Sequence, residues 1–283
     1  MVSRVAAEQS SVLEISRTKS GFDACEPDNI SWMAALRPGD TIVNCVAVTR
    51  ANPTTVTELE RVYKTNAWFP QLLARASSAR KLKLIHISTD AVFASREEPY
   101  GEAELPNALD WYGLSKTLGE VHFDNALNIR CSIVGPEAAP RGHLLGWLLA
   151  HQDGASVNGY TNHMWHGATT LQLARLCVSL SEDSVFPALR SLTDTIHFTP
   201  NEPISKFDLL REMNAVSRRK ICINPVTADD GRVRILQSKY NQMVGFEPNG
   251  LSMKEALTEL FNYLSLAERN QNRESNVNLR NAP

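Results

Sequence analysis

The sequence lacks the features that would place the protein in a membrane or on a nucleic acid. Its longest apolar run, residues 143–150, is too short to span a bilayer, and residues 1–20 lack the apolar core of a signal peptide. A formal net charge of −2 provides no excess of positive charge for nucleic acid or an anionic membrane. The 283 residues, 43% hydrophobic and 21% charged, are typical of a globular protein with a full core.

Cysteine is scarce, and its pattern argues against a disulfide framework. The five cysteines are odd in number, and none belongs to a Cys-x-x-Cys pair. Such a pattern is typical of reduced thiols, so we expect a cytoplasmic protein. His163 and His166 are close in sequence but have no cysteine or carboxylate beside them. We therefore expect them to be structural and assign no metal.

Glycine is missing from the start of the chain, where Gly21 is the first. A nucleotide-binding α/β domain normally begins with a strand and a glycine-rich turn. Here residues 2–9 have the composition of a helix, and residues 12–17 have that of a strand. The opening therefore either excludes a nucleotide-binding fold or indicates that part of one is missing.

The next hundred residues alternate between apolar runs and helical spacing. Strands are predicted at 41–47, 82–88 and 129–134, and helices at 54–78 and 111–126. Strands separated by helices predict βαβ units with right-handed crossovers. The fold class is therefore α/β, a Rossmann-like, doubly wound parallel sheet with helices on both faces.

Beyond Gly135 the alternation is looser, which predicts a smaller C-terminal α+β lobe packed over one edge of the sheet. Its elements are helices at 171–180, 206–216 and 253–264 and short strands at 195–198 and 220–223. We expect a core at 1–136 and a second lobe at 137–266, with some of its strands returning to the core. Residues 267–283 are too polar to order themselves and predict a disordered tail.

Chemically useful side chains occur at two places. The strand at 82–88 leads directly into Thr89 and Asp90, and the carboxyl ends of parallel strands are where such sheets bind ligands. Tyr112 and Lys116 stand four residues apart in the following helix, so they project from one helix face. An adjacent ammonium lowers the pKa of a phenol. The tyrosine then becomes a general acid or base for a carbonyl oxygen, and Thr89 could hydrogen-bond the same atom.

A tyrosine and a lysine at this spacing often occur by chance, as a packed ring beside a solvated charge. The whole set is more specific. Ser88, Thr89 and Asp90 end one strand, Tyr-Gly-x-Ser-Lys-x-x-Gly-Glu follows at 112–120, and the next strand ends in Val-Gly-Pro at 134–136. This combination resembles the extended short-chain dehydrogenase/reductase family, and more narrowly its dTDP-4-dehydrorhamnose reductase branch. The resemblance extends from the opening helix to about residue 264.

The resemblance implies hydride transfer from NADPH or NADH to a 4-keto-sugar linked to a nucleotide, in deoxysugar or polysaccharide synthesis. Tyr112 would protonate the forming alkoxide, Lys116 would lower its pKa and hold the nicotinamide ribose, and Thr89 would orient the carbonyl. The implied cofactor contacts, besides Tyr112 and Lys116, are Arg17, Asp23, Cys45, Val46, Ala47, Asn66 and Ile133. The resemblance also implies that the C-terminal α+β lobe is a substrate lobe, and the implied substrate contacts are Thr49, Asp90, Asn162 and Trp165.

Several of these positions carry a second interpretation. Trp165 could simply pack, Asn162 could form a turn, and Arg17 could be an ordinary exposed arginine rather than a partner for the 2′-phosphate of NADP. The sequence also departs from the family. Ala91 replaces a common tyrosine, and Cys45 and Val46 replace alanines beside the cofactor, which affects substrate choice more than fold.

Under the resemblance, residues 2–9 end the first helix of the family fold and residues 12–17 form its second strand. The first strand and the glycine turn would then precede Met1. Either the start is misassigned, the chain is a fragment, or it is a relative that no longer binds dinucleotide. We expect this chain to bind NADP(H) weakly or not at all, and a micromolar dissociation constant by calorimetry would contradict that.

The sequence is consistent with two functional classes. The first is a reductase, which the joint presence of Thr89, Tyr112 and Lys116 favours. The second is a non-catalytic binding or regulatory protein, or a truncated inactive form, which the missing glycine turn favours. The partners expected are a nucleotide-sugar substrate and, as an open option, a second copy of the chain. Nucleic acid and membrane are not expected.

Overall fold

The computed structural model describes residues 1–26, 30–49, 52–136, 142–246 and 250–280. Its strands, in chain order, are β1 (Thr41–Asn44), β2 (Lys83–Ile87), β3 (Ala126–Arg130), β4 (Ile133–Val134), β5 (Ser156–Tyr160), β6 (His163–Trp165), β7 (Ala168–Thr169), β8 (Thr195–His197), β9 (Ile204–Ser205), β10 (Cys222–Val226) and β11 (Arg232–Val233). Its helices are α1 (Val2–Ala6), α2 (Arg17–Ser20), α3 (Val56–Tyr63), α4 (Phe69–Ala79), α5 (Trp111–Gly119), α6 (Leu144–Leu149), α7 (Thr170–Ser181), α8 (Val185–Arg190), α9 (Lys206–Val216) and α10 (Met253–Arg280).

A parallel sheet of order β1-β2-β3-β8 forms the centre of the described residues. One face packs on α4, where Phe69 and Leu73 meet Ile42 and Leu84 in a single apolar cluster. The other face packs on α7 and α8, through a cluster that includes Ile129 and the leucines of α7. Helices therefore cover both faces, as the sequence predicts, and the strands between them are buried on both sides.

The predicted single helix at 54–78 consists of two α-helices joined by a π-helical turn, Lys64–Trp68. α3 begins with a capping box, in which the Thr55 hydroxyl accepts a bond from the Glu58 N–H and the Glu58 side chain bonds back. Pro70 stands near the start of α4 and has no N–H, so the carbonyl of Asn66 lacks its usual partner four residues on. Irregular helical turns of this kind are frequent at functional sites.

The second lobe is built from short sheets and helices around its own apolar cluster. β5 pairs with β10, and β6 lies between β9 and β11. Leu148, Val157, Leu209, Met213 and Leu257 form the centre of this cluster, so α6, α9 and the start of α10 share one core. The predicted strand at 195–198 returns to the main sheet as β8.

The structure corrects the prediction of a strand at residues 12–17. Residues 11–16 belong to no strand, and Arg17 opens the short helix α2. A strand needs a neighbour for its backbone N–H and C=O groups, and in the described residues no strand pairs with the outer edge of β1. Val12 and Leu13 are accordingly exposed. The opening helix is confirmed as α1, which packs on α7 and α10 through Val5.

At the other end, α10 continues to Arg280, through the residues that composition predicts to be a disordered tail. Residues 281–283 lie outside the described part. No described helix combines the length and apolarity that a membrane crossing needs.

Candidate active site

The carboxyl ends of β1, β2 and β3 bring together most of the residues that the sequence singles out. Cys45, Val46 and Ala47 form the loop after β1, and Thr89 follows β2 by two residues. These ends meet at one edge of the sheet because β1, β2 and β3 are parallel. That edge is where open α/β sheets bind their ligands.

Thr89 is fixed by the turn that follows β2. It is buried, and its hydroxyl accepts a hydrogen bond from the Ala91 N–H (3.1 Å) and donates to Asp90 Oδ1 (3.1 Å). It thereby caps a short 3-10 turn, Asp90–Val92. Its rotamer is therefore set by local bonds.

Tyr112 is placed against this turn by close contact between α5 and the backbone at Ala91. Asp110 caps α5 by accepting a bond from the Gly113 N–H (2.7 Å). A Cβ on Gly113 would lie 2.1 Å from the Ala91 carbonyl oxygen and 2.5 Å from Ala108 Cβ. Only glycine lets the two segments meet this closely. The geometry positions the Tyr112 phenol beside Thr89 and Asp90.

The electrostatics of Tyr112 differ from the sequence-based expectation. Burial raises the pKa of the phenol to about 12, a hydrogen bond with Thr89 opposes this, and the Asp90 carboxyl adds to it. Lys116 does not supply the predicted lowering in this arrangement, because its amine bonds elsewhere. The phenol is therefore held protonated at neutral pH, as a proton donor.

Lys116 is buried and bonded to β2. Its Nζ donates to the carbonyl oxygen of Ile87 (2.8 Å) and lies 3.3 Å from Nε2 of His86. Burial lowers the pKa of Lys116 to about 8, while the Glu120 carboxylate raises it. The amine therefore titrates much nearer neutrality than an exposed lysine does.

Asn66 joins the loop after β1 to α5. Its Oδ1 accepts from the Val48 N–H (2.7 Å), and its Nδ2 donates to the Val48 carbonyl (3.0 Å) and to Ser115 Oγ (3.0 Å). A Cβ on Gly119 would lie 1.9 Å from the Asn66 carbonyl oxygen, so α5 sits directly on the π-helical turn. The bonds of this side chain make it a support for the site.

A buried ion pair fixes the end of α5 to β3. Arg130 donates from Nε and Nη2 to the two oxygens of Glu120, each at 2.7 Å, and Ser88 Oγ donates to Glu120 at 2.8 Å. The two charged side chains are 5% and 3% exposed. Ser88 and Glu120 both belong to the sequence motifs, but the motifs alone do not show that the two side chains bond to each other.

Two cations near Asp90 were missed by sequence reasoning. Burial raises the pKa of the Asp90 carboxyl, while Arg234 and Lys206 oppose that shift. Burial also lowers the pKa of Lys206, against the attraction of Asp90. Lys206 opens α9 and Arg234 follows β11, so both reach the site from the second lobe. No motif in the sequence links these positions to residue 90.

Four other predicted site residues lie in the loop after β1, on β4 and in the second lobe. Thr49 is exposed in the loop after β1, and Ile133 is exposed on β4. The Asn162 amide bonds to both backbone groups of Ala228, at 2.7 and 3.0 Å, and so fastens a loop of the second lobe. Trp165 is buried in the apolar cluster of that lobe. For Asn162 and Trp165 the structure therefore supports the turn and packing interpretations.

Arg17 and Asp23 lie in the segment before the sheet. Arg17 is exposed at the start of α2, rather than at a strand end. Asp23 accepts a bond from the Cys25 N–H (2.9 Å), which lowers the pKa of its carboxyl. Phe22 and Ala24 beside it are buried against α4, so this segment covers one face of the sheet.

The fold and site define a class of protein: a doubly wound α/β domain with a Tyr-Lys pair and a strand-end threonine at its ligand edge. A family model described as the RmlD substrate binding domain matches residues 1–248. The chain belongs to this family, which confirms the resemblance found in the sequence.

Curated relatives match part of the chain. A dTDP-4-dehydrorhamnose reductase of Mycolicibacterium smegmatis is 35% identical over 125 residues, which is 42% of this chain and 37% of that protein. Methionine adenosyltransferase 2 subunit beta of Danio rerio is 32% identical over 133 residues, covering 44% of this chain and 41% of that one. The matched region thus spans about two fifths of these relatives.

Solved structures match nearly the whole chain. A dTDP-4-dehydrorhamnose reductase of Clostridium acetobutylicum has a TM-score of 0.75 at 18% identity, covering 93% of this chain and 96% of that one. A dTDP-4-dehydrorhamnose reductase of Bacillus anthracis, in complex with NADP, has a TM-score of 0.73 at 20% identity, covering 92% and 94%. At these identities the likeness confirms the Rossmann-like fold.

Proposed function

We propose that the protein is an NAD(P)H-dependent reductase of a nucleotide-linked 4-keto-sugar. The observation that carries this proposal is the placement of Thr89, Tyr112 and Lys116 at one edge of the sheet, with Tyr112 protonated and Lys116 buried. A platform protein has no need of all three. The family, and relatives named as dTDP-4-dehydrorhamnose reductases, support the same substrate class.

Against the expectation of weak or absent NADP(H) binding, we propose that the chain binds the cofactor, because its donor set fits the nicotinamide half of a dinucleotide. The Lys116 amine and the loop of Cys45, Val46 and Ala47 lie at the sheet edge, and Ile133 is exposed just after β3. When bound, the cofactor supplies a hydride to the carbonyl carbon. Arg17 and Asp23 are the proposed contacts for the adenosine half.

In the reduction, Tyr112 gives its phenolic proton to the carbonyl oxygen as that carbon accepts the hydride, which yields an alcohol. Thr89 turns its hydroxyl hydrogen from Asp90 Oδ1 to the same oxygen and so holds that oxygen toward the phenol. The phenolate that remains is stabilised when Lys116 is an ammonium. The amine must therefore leave its bond with His86 or share a proton through it.

Lys206 and Arg234 support a substrate that carries negative charge. Both cations act on Asp90, beside the catalytic groups, and both come from the second lobe. A nucleoside diphosphate provides the anionic oxygens that such cations bind. We assign them to the diphosphate and Thr49 and Asp90 to the sugar end.

We place the protein in the cytoplasm and propose that it forms a homodimer. The described cysteines are free thiols, which suits a reducing compartment. α3 packs beside α5, and each helix exposes an apolar stripe with i, i+3, i+7 spacing. The stripes consist of Val56, Leu59 and Tyr63 on α3 and Trp111, Leu114 and Leu118 on α5. A second copy that covers both stripes would remove this apolar surface from water.

The test replaces Tyr112 by Phe and follows NADPH oxidation with dTDP-4-dehydrorhamnose. Loss of the proton donor should lower kcat by about 10²- to 10⁴-fold, while thermal unfolding stays close to that of the wild type. Tyr263→Phe is the matched control, because that phenol bonds Glu8 on the surface. Equal turnover in Tyr112→Phe and the wild type would contradict the proposal, and so would a wild type without turnover, which would favour a non-catalytic role.

A further inference from the structure

A row of buried polar side chains lies behind Lys116. Asn44 and His86 are directly opposite each other on β1 and β2, and both are buried. Asn44 Nδ2 lies 3.0 Å from His86 Nδ1, and His86 Nε2 lies 3.3 Å from Lys116 Nζ. The row therefore runs without interruption from the loop after β1 to the lysine.

The orientation of the Asn44 amide is fixed by the backbone. The N–H of Val46 donates to Asn44 Oδ1 at 3.1 Å. A backbone N–H can only donate, so Oδ1 must face Val46 and Nδ2 must face the imidazole. Reversing the amide would set the Nδ2 donor against the Val46 N–H donor.

This orientation decides which nitrogen of His86 carries hydrogen. Nδ1 must accept from Asn44, so the single hydrogen of a neutral imidazole stands on Nε2. Burial holds the pKa of His86 well below its ordinary value, so the ring is neutral. The Nε2–H then points at Lys116, whose nitrogen can accept it only as an unprotonated amine. The Ile87 carbonyl accepts one of the hydrogens of that amine.

We propose that Asn44 and His86 are positioning residues that lower the proton affinity of Lys116 and couple its protonation to the loop at Val46. When the pair takes up one proton, the Nε2 hydrogen moves to Lys116 Nζ and the incoming proton ends on Nδ1. Nδ1–H then needs an acceptor, so the Asn44 amide turns and its oxygen leaves the Val46 N–H. Charge on the lysine and the shape of the proposed cofactor loop thus change together.

Other groups around the amine act on its charge but do not determine this hydrogen-bond pattern. Glu120, one turn later on α5, favours the ammonium, but its carboxylate is paired with Arg130. The remaining titratable neighbours are Cys45 after β1, Cys131 after β3 and Tyr112 one turn earlier on α5. Of the two hydrogen-bond partners that the described residues give Lys116, the Ile87 carbonyl can only accept, whereas the donor and acceptor roles of His86 can exchange.

The inference deepens the proposed function but is tested without turnover. In nuclear magnetic resonance spectra of the labelled wild-type protein, we expect His86 to carry its hydrogen on Nε2 above pH 9. The Lys116 ¹³Cε signal and the Val46 amide should titrate with one shared midpoint. Hydrogen on Nδ1 at high pH, or a Val46 amide that does not follow Lys116, would overturn the proposal whether or not the protein is a reductase.

Asn44→Ala tests the coupling directly. Without the Asn44 donor, Nδ1 can keep its hydrogen and Nε2 can accept from an ammonium, so the proton affinity of Lys116 should rise about fivefold to tenfold. Asn125→Ala is the matched control, because Asn125 bonds Leu82 at the opposite end of β2. A Lys116 midpoint that is equal in both variants would refute the assignment. If Asn44→Ala does not fold, the wild-type measurements decide.

Discussion

Replacing Arg130 by Met tests whether the buried ion pair behind α5 holds the site together. The change removes the guanidinium that donates twice to Glu120 and leaves that carboxylate buried, with Ser88 Oγ still donating to it. Arg130 also lies 3.4 Å from His197 Nε2 and over the ring of Phe93 at 5.0 Å. The variant therefore removes one buried positive charge and changes the surroundings of Glu120, His197 and Phe93.

The expected cost follows from burial. Removing one partner of a buried ion pair costs about 3–5 kcal/mol, because the other charge remains unpaired in a medium of low dielectric constant. Both side chains of this pair are almost fully buried, at 5% and 3% exposure, so solvent screening is slight. At about 2 °C per kcal/mol for a chain of this size, Tm should fall by roughly 6–10 °C.

Urea and thermal unfolding, followed by circular dichroism, measure this loss. Arg175→Met is the control, because Arg175 and Glu259 form an ion pair that is 44% and 42% exposed. An exposed pair contributes at most about 1 kcal/mol. Glu120→Leu combined with Arg130→Met should recover much of the stability, since it removes both charges. If Arg130→Met costs no more than the control, the ion pair does not hold α5 to β3.

Two further changes test the charge of Lys116 and the apolar stripes. The pKa of Lys116 is lowered from 10.5 to about 8, so between these pH values the unfolded chain binds more protons than the folded chain. The free energy of unfolding should therefore rise by roughly 3 kcal/mol across this pH range. Lys116→Met should lack this rise, and parallel pH curves for the two proteins would contradict the assignment. Leu118→Glu puts a charge into the proposed dimer face and should give a monomer in analytical ultracentrifugation, whereas Leu105→Glu, at an exposed position outside α3 and α5, should not. A wild type that is monomeric at tens of micromolar would refute the dimer.

The sequence predicted the parallel sheet and the helix that carries Tyr112 and Lys116, because both depend on local patterns. Buried parallel strands appear as short apolar runs, and each is followed by a helix with its own periodicity. Tyr112 and Lys116 share a helix, so their spacing alone fixes that they project together. The end of the strand at 82–88 then supplied Thr89 as a hydroxyl that could bond the same oxygen. These predictions needed no knowledge of long-range contacts.

The predictions that failed depended on contacts that spacing cannot show. The strand expected at 12–17 required a neighbouring strand, and the described residues provide none. The lowered pKa of Tyr112 required a free ammonium beside it, but Lys116 bonds to β2 and burial dominates the phenol. Lys206 and Arg234 were not predicted, because they reach Asp90 from the second lobe, more than a hundred residues further along the chain.

Most residues of the motif at 112–120 have a structural role. Gly113 and Gly119 allow α5 to touch the backbone at Ala91 and Asn66. Ser115 bonds the Asn66 amide, and Glu120 pairs with an arginine of β3. These contacts fix the helix against both neighbouring segments, and the helix then places Tyr112 beside Thr89 and Lys116 against the carboxyl end of β2. A chance Tyr-x-x-x-Lys has none of them, which is why the full motif indicates an active site and the pair alone does not.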